Sequence, residues 1–123
     1  DLHLSIRRQR QMCIRDSRYT NISVPRLSQQ LNFLQRTLIV CQQRGIKVIL
    51  VNMPLRQDTL SLLPAGFSDN LSGEFRKIAT RSGAEFLDLS DSAAFTEQDF
   101  SDATHLNKAG AQRFWAVILG RLD

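Results

Sequence analysis

Histidine, cysteine and glycine are all scarce in this chain, and each scarcity removes a class of function. With two histidines (His3, His105) and two cysteines (Cys13, Cys41), no cluster has metal-ligand spacing, which argues against a zinc centre. The cysteines sit in unlike contexts and form no disulfide framework; Cys41 falls on an apolar helix face and reads as a small core residue. None of the six glycines builds a Gly-rich loop after a strand, so a phosphate-cradling nucleotide domain is without support. No apolar run approaches the roughly 20 residues that span a bilayer. The start, Asp1-Leu2-His3-Leu4, has no secretory pattern and no initiator Met, so a truncated chain is expected.

A concentrated basic surface is also missing. Of the net charge of +4, most lies in residues 1–18, where five arginines (Arg7, Arg8, Arg10, Arg15, Arg18) outnumber Asp1 and Asp16. Residues 19–123 carry 11 basic and 10 acidic groups and no basic stripe with interleaved aromatics, which argues against nucleic acid as a partner.

What is present is enough for one domain. A chain of 123 residues, 42% hydrophobic and 23% charged, can bury a core without disulfides. Residues 1–18 show no clean period, and "QMCIRDS" (11–17) resembles translated adapter sequence. They are set apart as a disordered or foreign leader, and the domain is placed at 19–123.

From Pro25 to Arg44, Leu27, Leu31, Leu34, Leu38 and Cys41 recur on one helical face, with Gly45 as the stop. "IKVILVNM" (46–53) is continuously apolar and β-branched, which predicts a strand buried on both faces. Residues 55–67 read as a loop with one helical turn. A helix at 68–82 turns Leu71, Phe75, Ile78 and Ala79 inward and stops at Gly83. "AEFLDL" (84–89) is a second strand, and 90–106 a long polar loop, a length that usually signals function. A last helix follows from the N-cap Asn107 to Leu122, with Phe114, Val117, Ile118 and Leu122 buried and Trp115 beside them. The alternation predicts βαβ units: an α/β fold with a parallel sheet and helices on both faces, and at least one further strand upstream.

In such sheets ligands bind beyond the carboxyl ends of the strands. Two segments leave those ends. One begins at Asn52, whose side chain is placed to donate into a cleft. The other is 90–106, which carries Asp102 and His105. At Asp-x-x-His spacing, one turn can bring the carboxylate to the ring Nδ1–H, leaving Nε2 to move a proton. The plainer reading is that Asp102 caps a turn. Asn107 and Gly110 are assigned structural roles, a cap and a close packing of the helix start, and Phe100 is expected to wedge the loop onto the core.

"FSDATHLNKAGAQRF", with Asp102, His105, Leu106, Asn107, Gly110 and Ala111, resembles the C-terminal block of the SGNH (GDSL-like) hydrolase superfamily. "GIKVILVNMPL" (45–55) and "EFLDLSD" (85–91) resemble the strand segments before that block. The likeness is greatest to a bacterial branch akin to cell-envelope acetylation and D-alanyl transfer proteins. It implies a three-layer α/β/α, flavodoxin-like fold, N-terminally truncated here. It implies a serine esterase or O-acyltransferase in which Asp102 and His105 serve a Ser nucleophile absent from this chain. A small-molecule or polysaccharide ester substrate, no cofactor and an envelope or periplasmic location are also implied. No Gly-Asp-Ser block is present. Ser17 follows Asp16, but no strand precedes it and it lies in the leader; Ser92 follows Asp91 but stands where the family places no nucleophile; Asn21 matches no diagnostic motif. The alternative is a catalytically degenerate envelope-assembly binding module.

Overall fold

The computed structural model describes residues 24–122. The leader at 1–18 and the positions of Cys13, Ser17 and Asn21 lie outside them. Within them the order is helix α1 (Val24–Gln43), strand β1 (Ile49–Asn52), a one-turn helix α2 (Gln57–Leu60), helix α3 (Phe67–Arg81), strand β2 (Glu85–Asp88), a 3₁₀ turn (Glu97–Asp99) and helix α4 (Lys108–Leu122).

Both helix-to-strand corners are made the same way. After α1, the amide of Gly45 donates to the Gln42 carbonyl and that of Ile46 to Cys41, at 3.0 and 2.9 Å. After α3, Gly83 donates to Thr80 and Ala84 to Ala79, at 3.5 and 2.9 Å. These paired bonds are Schellman stops, and they need a left-handed residue between helix and strand. Gly45 and Gly83 supply it, with φ of 69° and 66°.

The two strands pair in parallel, from Ile49 opposite Glu85 to Asn52 opposite Asp88. The chain is thus of mixed α/β class, with a two-stranded parallel sheet among the described residues. Strand alternation divides the packing. Phe86 meets Phe75 of α3, their ring centres 6.0 Å apart, with the Arg76 guanidinium over the same ring. Leu87 and Leu89 point the other way and form a core with Ile118 of α4. Leu38 of α1 and Ile78 and Ala79 of α3 are buried as well.

Two burial expectations are corrected. β1 is half-buried along its length rather than enclosed on both faces, because among the described residues the sheet has two strands and each is also an edge. Leu122 is exposed, because it lies a full turn beyond Ile118, the last α4 residue in the core; Trp115 and Leu119 share that open side. No helix among the described residues is long and apolar enough to cross a membrane.

Candidate functional site

The Asp102–His105 turn is closed by the aspartate itself. Asp102 Oδ1 accepts the amides of Thr104 and His105, each at 2.8 Å. The same carboxylate meets His105 Nδ1 with both oxygens, at 2.9 and 2.8 Å. With Nδ1 as donor to the carboxylate, a neutral ring carries its proton there and leaves Nε2 as the acceptor. The capping role and the ring-orienting role therefore coexist in one carboxylate. The pair sits at the surface, with the His105 side chain 71% exposed, so its Nε2 edge is open to an approaching group.

The loop around the pair is held at its neck. The amide and hydroxyl of Ser101 both donate to the His105 carbonyl, and Phe100 pairs with Leu106 in an isolated antiparallel bridge. Phe100 is buried, as its wedge role requires. The expected long polar loop is interrupted by the 3₁₀ turn, because Thr96 and Asp99 form a reciprocal capping box there. Asp99 is 2% exposed and meets Arg113 of α4 at 3.4 Å.

α4 begins where the sequence predicts. Asn107 Oδ1 accepts the Gly110 amide at 2.9 Å, and its Nδ2 donates to the Gln98 carbonyl at 2.6 Å. One side chain thus caps α4 and ties it to the 3₁₀ turn. Asn107→Ala is expected to lower stability by about 1 kcal/mol, read as a shift of the urea midpoint with an unchanged m-value.

The strand ends form a second polar centre. Asp88 accepts hydrogen bonds from the Ser72 hydroxyl (2.5 Å), the Ser90 hydroxyl (2.7 Å) and amide (3.0 Å), and the Asn52 amide group (3.2 Å). Beside it opens a cleft of about 520 Å³, lined among others by Gln57, Leu60, Ser68, Asp88, Ser90 and Ser92. Asn52 is therefore at the carboxyl end of β1, as read from the sequence, with one amide N–H directed at Asp88. It is not among the residues lining the cleft. Ser92 does line it, and its hydroxyl accepts the Ala94 amide at 3.3 Å.

Asp88 was not singled out by sequence reading. The available signal was that both strands end on a polar residue, Asn52 and Asp88, which the parallel register places side by side. Thr59, fully buried on α2, was missed for another reason: its partner, the Ala103 carbonyl, lies 44 residues away. Among the described residues, no group of three or more His, Cys, Asp or Glu side chains is arranged to hold a metal ion.

Both carboxylates are shifted the same way. Partial burial pushes the Asp102 carboxyl up, but the Thr104 amide and the His105 ring and amide outweigh it and hold it below the usual range. For Asp88, too, burial acts upward and is outweighed, here by Ser72, Ser90 and Asn52. A carboxyl whose folded pKa is depressed adds stability that is complete above its unfolded value, about 4, and lost as pH falls through the folded value. The urea midpoint should hold steady from neutrality down to about pH 5 and then fall. Asp88→Asn should make that acid limb shallower; an unchanged limb would show that its hydrogen bonds do not discriminate the charged form.

Comparison with curated proteins and with solved structures found no match, whereas one family model matches residues 7–122, nearly the whole chain. On that match the chain belongs to the family described as "Protein of unknown function (DUF1574)".

Proposed function

We propose that Asp102 and His105 are the orienting acid and the proton-moving base of a Ser-His-Asp triad. The protein would be an SGNH-type ester hydrolase or O-acyltransferase, with the nucleophilic serine supplied from outside this chain. The observation that carries the reading is the two-oxygen contact of Asp102 with His105 Nδ1, combined with an open Nε2 edge.

The chemistry follows from that geometry. His105 Nε2 takes the proton from the serine hydroxyl as its oxygen attacks an ester carbonyl. The imidazolium so formed is stabilised by the Asp102 carboxylate. His105 then returns the proton to the departing alkoxide, leaving an acyl-serine. Water, or an acceptor hydroxyl in a transferase, repeats the cycle in reverse order and frees the serine. The cleft at the strand ends is the proposed seat of a small-molecule or polysaccharide ester, with Asn52 beside it holding Asp88, one of the lining residues. The fold of the complete domain would be the three-layer α/β/α arrangement of that superfamily. The division of β2 between Phe75 of α3 and Ile118 of α4 supports it.

A second reading, a degenerate binding module, has one observation in its favour: among the described residues no serine hydroxyl is hydrogen-bonded to the His105 ring. Sequencing the native locus upstream of residue 19 separates the two. The triad reading expects a strand followed by Gly-Asp-Ser. Continuous native sequence with no such block would favour the binding module.

A further inference from the structure

We infer that Thr59 is a positioning residue for the Asp102–His105 pair, its buried hydroxyl clamping the Ala103 carbonyl between them. The inference rests on the reading of that pair as a proton-transfer dyad. The Ser101–His105 bonds close the neck of the turn, and the Asp102 carboxylate organises its interior. Neither sets where the turn stands relative to the strand ends. The Thr59 hydroxyl does, because it reaches the turn from a separate element and donates to Ala103 at 2.8 Å. Its side chain is completely buried, so this bond has no water to replace it.

The surroundings of Thr59 support the assignment. α2 is a single turn, anchored at its entry by the Leu55 amide on the Ser90 carbonyl at 3.2 Å. Arg56 grips Asp58 with two bonds of 2.7 Å and so fixes the start of the turn. Gln57 and Leu60, on either side of Thr59 in the chain, line the cleft. One short helix therefore touches the cleft with its outer side chains and the dyad turn with its buried one. Through Thr59 the imidazole is registered against the place where a substrate would lie. A shift of the order of an ångström between the two would cost a reaction roughly a hundredfold.

The test is proton and nitrogen NMR of the His105 ring in the 123-residue chain, where only His3 gives a competing signal. Wild type should show, read through the carbon-bound ring protons, the nitrogen-shift pattern of a single Nδ1–H tautomer held by Asp102. Thr59→Val, which keeps the shape but lacks the hydroxyl, should broaden or abolish it. Thr59→Ser should restore it. In the intact protein, Thr59→Val should lower kcat on an aryl acetate by roughly ten- to a hundredfold with KM unchanged, and Thr59→Ser should recover it. An unchanged nitrogen-shift pattern in Thr59→Val overturns the inference and leaves the dyad standing. A wild-type ring without the Nδ1–H pattern overturns the dyad geometry and the inference with it. If Thr59→Val does not fold, the wild-type hydroxyl proton decides: slow exchange with solvent supports the clamp, and fast exchange overturns it.

Discussion

Gly110→Ala is expected to cost the chain about 2–3 kcal/mol and to lower its thermal midpoint by about 10–20 °C. The reason is local and geometric. A Cβ at this position would lie far inside van der Waals contact of the Asp99 carbonyl oxygen and 3.0 Å from Leu106 Cδ2. The oxygen cannot move away cheaply, since it accepts the Asn107 amide at 2.8 Å. Asp99 is itself fixed by the Thr96 amide and by Arg113. Relief therefore requires α4 to back away from the 3₁₀ turn, which loosens the Asn107 cap and the Phe100–Leu106 bridge. Gly120, in the same helix, provides the control, because nothing lies within 4 Å of a Cβ there. Gly120→Ala should be neutral or stabilising by up to about 1 kcal/mol. Similar effects at the two sites would contradict the close approach of α4 to Asp99.

The largest effect on activity is expected at the dyad. On the proposed triad reading, His105→Ala or Asp102→Asn in the protein expressed from its native locus should reduce kcat/KM on an aryl acetate by roughly three to four orders of magnitude. KM should change little, because both residues act on the proton moved in the transition state and not on substrate binding. The two losses should not add. Without His105 there is no ring for Asp102 to orient, so the double variant should be about as slow as the His105 variant alone. Asp102→Asn carries a second cost, because the carboxylate also accepts the Thr104 and His105 amides. An asparagine can still accept both amides through Oδ1, so the turn should survive and the loss should fall on the ring. Additive losses would show that the two residues act separately.

The parts of the fold that depend on neighbours in sequence were legible there. Gly45 and Gly83 mark the two Schellman stops, and Asn107 marks the cap of α4, because each acts within one turn of its own position. The close fit at Gly110 was legible for the same reason: a glycine at a helix start implies an obstacle nearby. Asp102 and His105 were found because three residues of separation is one turn. Burial was read less well. "IKVILVNM" looks like an enclosed strand, yet β1 is only half-buried, since enclosure depends on flanking strands that a local pattern does not describe. Leu122 continues the apolar period of α4 past the edge of what the helix covers. Thr59 and Ser72 were beyond reach because their partners, Ala103 and Asp88, lie 44 and 16 residues away. A buried threonine or a serine inside a helix looks unremarkable until the chain brings its acceptor alongside.

The central claim is that His105 activates a serine, and labelling with a serine-directed fluorophosphonate tests it most directly. The protein expressed from its native locus is compared with its His105→Ala variant at equal concentration. The triad account predicts one covalent adduct in the wild type, on a serine upstream of residue 19, and a rate of labelling lowered roughly a thousandfold in the variant. Equal labelling of the two proteins would contradict it, and so would the absence of any serine adduct in the wild type.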